Sequence, residues 1–150
     1  MKLSTRSTYG LRALIELGLG TGRVPLSASL IAKQQSLSPA YLEQLLHRLK
    51  LRGLVLSIRG PKGGYLLAKK PQQVTVAEVV HVLDGQPPVK NGNGNAKDTP
   101  RHALRIAHAV FHCVHERLLK SLDEVTLKDL CDEVREQDDE ALDHRYVFHI

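Results

Sequence analysis

Residues 38–52 read Ser-Pro-Ala-Tyr-Leu-Glu-Gln-Leu-Leu-His-Arg-Leu-Lys-Leu-Arg, and this stretch decides the fold. Its leucines recur at the i, i+3, i+4, i+7 spacing of one helical face, which predicts an amphipathic helix against a core. Ser38 stands where it can cap the first turn, and Pro39 takes the first helical position, where its missing N–H costs nothing. The leucine stripe consists of Leu42, Leu45, Leu46 and Leu49.

The opposite face of this helix is polar. Short, amide, imidazole and guanidinium side chains suit a helix that enters a major groove and reaches base edges. An ordinary solvated face is the alternative that the stretch alone leaves open. The candidate DNA-binding residues on this helix are Ser38, Ala40, Tyr41, Glu43, Gln44, His47, Arg48 and Arg52.

Two helices are predicted upstream. Residues 5–19 place apolar side chains on one face and form a first core helix. Ser27 can cap a short second helix that runs to about Gln35. Only Ser36 and Leu37 then separate it from the helix that begins at Pro39, which is the spacing of a helix-turn-helix whose second helix reads DNA.

A β-hairpin follows. Two short apolar runs, residues 54–58 and 65–68, flank a turn rich in glycine and positive charge, residues 59–64. Glycine allows close backbone approach, and a protruding arginine can enter a narrow minor groove. A nucleotide cradle is disfavoured because the phosphate-loop spacing is missing and the turn leads into a strand. The candidate DNA-binding residues of the turn are Arg59, Gly60, Lys62 and Gly63.

Helix, helix-turn-helix and hairpin in this order predict a winged helix-turn-helix domain, mainly α with a small β wing, in residues 1–70. The charge distribution agrees. Residues 1–75 carry 12 Lys and Arg against two acidic residues, a net charge of +10, whereas residues 76–150 carry a net charge of −5. This polarity predicts that the first half meets phosphate and that the second half has another role.

Composition limits the other classes. The 150 residues include 42% apolar and 25% charged side chains, as in globular proteins, and aromatic residues at 4% are too few for base stacking as the main binding mode. Two cysteines make neither a disulfide framework nor a zinc knuckle, and no apolar run of about 18 residues is present. We therefore expect a cytoplasmic protein with reduced thiols and no membrane partner.

The second half divides into three parts. Residues 71–85 form a connecting helix capped by Thr75, residues 86–100 have the composition of a flexible loop, and residues 101–150 form a dimerisation helix and an apolar C-terminal anchor. The long helix, residues 101–122, needs a partner for its apolar face, and a second copy is the economical one. The predicted interface residues are Ala107, Val110, Phe111, Val114 and Leu118.

Three histidines lie beside that apolar face. His108, His112 and His115 have the spacing i, i+4, i+7, so they are a candidate for a Zn²⁺ site or a pH-responsive group. A rim of unliganded histidines is the interpretation that we favour, because no acidic or thiolate ligand accompanies them. Cys113, a candidate thiol switch, is more simply a packed hydrophobe.

Three segments resemble the Rrf2 family of bacterial winged-helix repressors. They are residues 1–10, residues 41–45, and residues 53–67, which contain Arg-Gly-Pro-Lys-Gly-Gly-Tyr-Leu-Leu. Residues 41–45 lie on the predicted DNA-reading helix, residues 38–52, which is called the reading helix below. The resemblance covers nearly the whole chain. It implies a homodimer on an inverted repeat, paired through one long helix, with residues 38–44 in the major groove and Arg59 in the wing.

The best-known members of this family are an iron–sulfur-cluster regulator and a regulator of cysteine metabolism. In the cluster type, three cysteines and a histidine hold a 2Fe–2S cluster. A gap-free match puts Arg105 at the third cysteine and His108 at the histidine, and residues 86–100 contain no cysteine. We therefore expect no cofactor, since thiolates bind such clusters. The cysteine-metabolism type implies regulation by a partner enzyme of sulfur assimilation.

The sequence thus predicts a homodimeric transcriptional repressor on a palindromic double-stranded DNA site, with a role in cysteine or sulfur metabolism. A regulatory adaptor that restrains a metabolic enzyme and a metal- or redox-responsive regulator are the alternatives. An enzyme is disfavoured because no Ser/His/Asp arrangement, paired carboxylates or cofactor loop is present.

Overall fold

The computed structural model describes residues 3–85 and 101–146, with side chains described as far as residue 142. The predicted flexible loop, residues 86–100, and most of the predicted anchor, residues 147–150, lie outside this description. The helices are α1 (Thr5–Leu19), α2 (Ala28–Gln35), α3 (Pro39–Leu51), α4 (Val76–Asp84), α5 (Arg101–Asp123) and α6 (Leu127–Tyr146). The strands are β1 (Val55–Ile58) and β2 (Gly64–Leu67), and a short 3-10 helix spans Pro71–Gln73.

Hydroxyl side chains cap the starts of α1, α2, α3 and α4. Ser4, Ser27, Ser38 and Thr75 each accept a hydrogen bond from a first-turn amide. These caps satisfy donors that a helix start would otherwise leave unpaired. Three of them, Ser27, Ser38 and Thr75, confirm the sequence-based helix starts.

A single aliphatic core lies between α1, α2, α3 and α4. The four leucines of α3 are all buried, as predicted, and they meet Leu14 of α1 and Ile31 of α2. The turn between α2 and α3 closes through Leu37, whose amide donates to the carbonyl of Ala32 at 2.8 Å, while Ser36 adopts the left-handed conformation with φ 55°. The packing is that of a helix-turn-helix.

The wing is an antiparallel pair in which Val55 faces Leu67 and Ile58 faces Gly64. The edge of β2 that does not pair with β1 is also hydrogen-bonded. Leu26, just before α2, exchanges two backbone hydrogen bonds with Tyr65, at 3.1 and 2.8 Å. The hairpin is thereby joined to the helical body. This architecture confirms the predicted mainly α winged helix-turn-helix with a long C-terminal helix.

The length and packing of α6 were not predicted. Thr126 stands in the sequence where it can cap a helix, and its hydroxyl accepts a hydrogen bond from the Asp129 amide at 3.2 Å. The helix that follows is 20 residues long, and its first turns pack on α1. Leu127 and Cys131 are buried there, and Gly18 leaves so little space that a Cβ would lie 2.7 Å from Cys131 Sγ. The C-terminal region is therefore anchored to the winged body through α6.

Across residues 3–85 and 101–146, no helix combines the length and apolar character needed to cross a membrane.

Candidate nucleic-acid interface

The outward face of α3 carries the predicted reading residues. Ala40, Glu43, Gln44 and His47 are all exposed, on the side opposite the buried leucines. At the start of the helix the Tyr41 amide donates to the Ser38 hydroxyl at 3.5 Å. The face presents amide, carboxylate and imidazole groups on a helix, and these groups can form hydrogen bonds with base edges.

Tyr41 is held by α1 and is half-buried. Its ring meets the Tyr9 ring edge-on, with centroids 6.2 Å apart and planes at 87°. The guanidinium of Arg12 lies over the other ring, 5.3 Å from the Tyr9 centroid. Edge-to-face and cation–π contacts of this kind fix ring orientation. Sequence spacing gives Tyr9 and Arg12 no role, and only their side-chain contacts make them supports of α3.

Arg12 is itself bound to the end of α2. Its Nε donates to Gln35 Oε1 at 2.5 Å and its Nη2 donates to the Gln35 carbonyl at 2.9 Å, and the Gln35 amide in turn donates to Glu16. This network joins α1 to the last turn of α2, directly before the helix-turn-helix turn. Two donors of the Arg12 guanidinium are thus used within the protein, which fixes this side chain between α1 and α2.

Arg48 was predicted to face DNA; the residue is exposed, and its guanidinium also reaches α4. Nη1 donates to the backbone carbonyl of Leu83 at 3.2 Å. Arg52, four residues later at the C-cap of α3, is exposed, and its side chain makes no hydrogen bond or ion pair within the part of the chain that the structure describes. The two arginines are therefore in different situations despite their similar positions.

The tip of the wing is exposed and basic. Arg59, Gly60 and Lys62 are exposed, and the turn closes through the Gly63 amide, which donates to the Gly60 carbonyl at 2.9 Å. Gly63 has no room for a side chain, since a Cβ would lie 2.2 Å from the Ile58 carbonyl oxygen. Among the described residues neither Arg59 nor Lys62 forms an ion pair. Both cations are thus available to an anionic partner such as a phosphate backbone.

On α5, the predicted interface is open to solvent. Phe111 is 76% exposed, and Val110 and Val114 are more than half exposed. Leu104 and Ile106 add further exposed apolar surface, whereas Leu118 is half-buried near the body. A contiguous exposed apolar stripe of this kind indicates an interaction surface.

The histidines of α5 are neighbours but do not assemble a metal site. The rings of His108 and His112 stack with centroids 6.4 Å apart. Within the described part of the chain, no three His, Cys, Asp or Glu side chains converge as a metal ion requires.

The cysteines do not fit an iron–sulfur cluster. The chain has two, Cys113 and Cys131, on different helices. Cys113 is exposed, whereas Cys131 is buried with its Sγ 3.9 Å from the Ile15 carbonyl, and burial raises the pKa of its thiol, which opposes the thiolate that a cluster needs. Two cysteines so placed cannot supply the four ligands of such a cluster.

Comparison with known proteins agrees with the geometry. Residues 3–133 match the model of the Rrf2 family, described as an iron-dependent transcriptional regulator. The chain is 36% identical to the transcriptional regulator IscR of Klebsiella pneumoniae over 134 residues, which are 87% of this chain and 79% of that protein. It is 46% identical to the transcriptional regulator CymR of Bacillus subtilis over 85 residues, 57% of this chain and 62% of that protein.

Two solved structures share the whole architecture. CymR of B. subtilis, the global cysteine regulator of that organism, superposes with a TM-score of 0.69 at 34% identity, covering 89% of this chain and 98% of the other. IscR of T. potens superposes with a TM-score of 0.72 at 34% identity, covering 91% and 90%. With its reading helix, wing and long helix in the same arrangement, the chain belongs to the Rrf2 family of DNA-binding transcriptional regulators.

Proposed function

We propose that this protein is a homodimeric repressor that binds a palindromic promoter element and controls genes of cysteine or sulfur metabolism. The observation that carries the proposal is the exposed polar face of α3, which is capped by Ser38 and supported from behind by four buried leucines. The metabolic assignment rests on the similarity to CymR, named a global cysteine regulator in B. subtilis. The protein acts by binding, in the cytoplasm, and its homologues are regulators of transcription.

Base contacts come from α3, and minor-groove and phosphate contacts come from the wing. Glu43 can accept a hydrogen bond from a cytosine amino group, and Gln44 can pair with adenine. Arg59 enters the minor groove, where a narrow A·T-rich groove concentrates negative potential. The contact set is Ser38, Ala40, Tyr41, Glu43, Gln44, His47, Arg52, Arg59, Gly60, Lys62 and Gly63.

The second copy pairs along the exposed stripe of α5. Ala107, Val110, Phe111 and Val114 follow one helical face that nothing in the described residues covers. A two-fold axis through this stripe presents two α3 helices to one side of a duplex, and the half-sites then lie about 34 Å apart or a multiple of that distance. Two reading helices separated in this way require an inverted repeat.

The regulator works without a 2Fe–2S cluster, although the family model is described as iron-dependent. Support comes from the donor set: one exposed thiol, one buried thiol of raised pKa, and no further cysteine in the chain. Its signal then comes from another source, for which a partner enzyme of sulfur assimilation is our proposal.

The experiment is a selection of bound fragments from the source genome, followed by footprinting and by solution mass measurement. We expect protection of an inverted repeat by a particle of twice the chain mass, 33.4 kDa for two chains of 16.7 kDa. Binding with no protected repeat, or a monomeric particle on DNA, contradicts the proposal. Repeating the selection with iron and reductant tests the cluster-free mode, which predicts the same fragments.

A further inference from the structure

The last turn of α4 is a junction of three helices. Arg48 reaches it from α3 and donates to the Leu83 carbonyl at 3.2 Å. This carbonyl is one of the last four of α4, which have no partner inside the helix and carry partial negative charge. A guanidinium on a helix C-terminus is therefore well placed in both hydrogen bonding and electrostatics.

α1 holds the same turn from the other side. Ser7, fully buried, donates to Asp84 Oδ2 at 2.8 Å, and Ser4 donates to the other carboxylate oxygen. The Leu83 side chain is 1% exposed and rests on the backbone of Gly10. Residues 83 and 84 are consequently fixed by both neighbouring helices.

α4 also contacts α5, the helix that carries the exposed stripe. The link from Arg48 to Leu83 is thus a direct hydrogen bond between the reading helix and the element on which the long helix packs. α3 and α4 also pack directly against each other, so a displacement of the end of α4 acts on α3 through this packing and through the Arg48 hydrogen bond.

We infer that Arg48 is a positioning residue for the reading helix and does not contact phosphate. The inference rests on the proposed function, because it assumes that α3 meets DNA. Arg48 sets the position of α3 against α4 and so couples operator affinity to the state of the long helix.

The test compares Arg48→Gln with Arg52→Gln, the same substitution four residues later, at the C-cap of α3. Operator affinity is measured by fluorescence anisotropy over a series of salt concentrations, well below the melting temperature of each variant. A lost phosphate contact lowers the slope of log K against log salt by about 0.9. A lost positioning contact weakens binding by the same factor at every salt concentration.

We expect Arg48→Gln to weaken operator binding about five- to tenfold with an unchanged slope, in the range typical of coupling between sites. Arg52→Gln should reduce the slope. In a Ser7→Ala background, where the end of α4 is already loosened, Arg48→Gln should cost a smaller factor, because both substitutions act on one turn.

A second measurement needs no DNA. The amide of Gly85 donates to the His81 carbonyl at 3.0 Å and so reports on the end of α4. Its hydrogen exchange should become faster in Arg48→Gln and remain unchanged in Arg52→Gln. Retained protection of the other helix amides in the same experiment shows that the Arg48 variant is folded.

The outcomes separate the two proposals. If the wild type binds its operator and Arg48→Gln binds equally well, or loses slope as Arg52→Gln does, the positioning role is overturned and the proposed function stands. If the wild type selects no genomic fragment, the proposed function is overturned, and this inference with it.

Discussion

Gly64 of β2 lies directly against the carbonyl of Leu26, so close that a Cβ at position 64 would be 2.3 Å from that oxygen. Its φ of 153° is also a conformation that side chains oppose. The contact lies beside the paired backbone bonds between Leu26 and Tyr65. The base of the wing is therefore joined to the helical body by backbone, at a residue that only glycine can occupy.

Gly64→Ala should destabilise the domain by at least about 2 kcal/mol, since it adds both strain and a clash with backbone. Chemical denaturation measures the loss. The control is Gly22→Ala, where φ is 69° and no atom lies within 4 Å of the added Cβ; strain alone predicts about 1 kcal/mol there. Equal losses at the two sites would show that the contact with Leu26 contributes nothing.

Ser7→Ala should lower the free energy of unfolding by about 1–3 kcal/mol, because it removes a buried donor from the Asp84 carboxylate. Thr8→Ala, one residue along α1 and exposed, is the control and should change stability by less than about 0.5 kcal/mol. Thermal unfolding of both variants decides. A Ser7 variant as stable as the wild type would mean that Asp84 does not depend on this hydroxyl.

Cys131 should make the stability of the folded protein depend on pH in the alkaline range. Burial raises the pKa of the Cys131 thiol above its ordinary value of 9.0, so at alkaline pH the unfolded chain releases this proton before the folded one does. Stability should therefore be unaffected by this group below pH 9 and should fall as the pH rises above it. Chemical denaturation of the wild type and of Cys131→Ala across this pH range gives the free energy of unfolding of each. The part of the alkaline loss that comes from this thiol should be missing in the variant.

Thiol labelling separates the two cysteines in the native state. Cys113 is exposed and should react with a disulfide reagent at once, whereas Cys131 should react only as the protein unfolds. Fast modification of both groups would show that α6 leaves its place on α1 easily.

Operator binding by Cys113→Ser, measured with and without oxidant, tests whether Cys113 is a thiol switch. The same oxidant dependence as in the wild type would show that Cys113 is not the switch.

Phe111→Glu should dissociate the dimer, raising its dissociation constant at least about 30-fold, because it places a charge at the centre of the stripe. Ile106→Glu is the matched control: it is also an exposed apolar residue of α5, but it lies about 140° away around the helix. Sedimentation equilibrium of the two variants gives the comparison. Dissociation by Ile106→Glu alone would place the interface on a different face of α5.

Arg59→Ala should weaken operator binding by about 1–3 kcal/mol, with a larger loss where the contacted minor groove is A·T-rich. Lys62→Ala, at the same tip, should weaken binding to all sequences alike and reduce the salt slope by about 1. Titration of each variant with the operator and with an unrelated duplex distinguishes a groove contact from a phosphate contact. Equal losses on both duplexes for Arg59→Ala would reduce its role to phosphate contact.

Most of the fold could be predicted from local patterns. The leucines of α3, the capping serines and the glycine-rich turn each act over a few residues, so sequence spacing predicts them well. The boundaries differ little: β1 begins at Val55, one residue after the predicted start, and α5 extends to Asp123. The α6 helix was not predicted at its full length because its polar composition resembles a solvated segment, and its contacts with the body come from a few side chains of the first turns, among them Leu127 and Cys131.

The candidate site divides in the same way. Which residues face outward from α3 follows from helical periodicity, and those residues are exposed in the structure. Helical periodicity does not show which residues of other helices contact α3. Tyr41 rests on Tyr9 from 32 positions earlier, and Arg48 binds a carbonyl 35 positions later.

By itself, the amino-acid sequence determined the helix starts, the apolar stripes, the basic wing and the family to which the chain belongs. These depend on interactions between residues a few positions apart, whose geometry a helix or hairpin sets in advance. Only the tertiary structure decided that Arg48 donates a hydrogen bond to the end of α4, that the Tyr9 ring contacts the Tyr41 ring and that α6 packs on α1. Such contacts join distant parts of the chain, and no local spacing specifies which distant partner a side chain will meet.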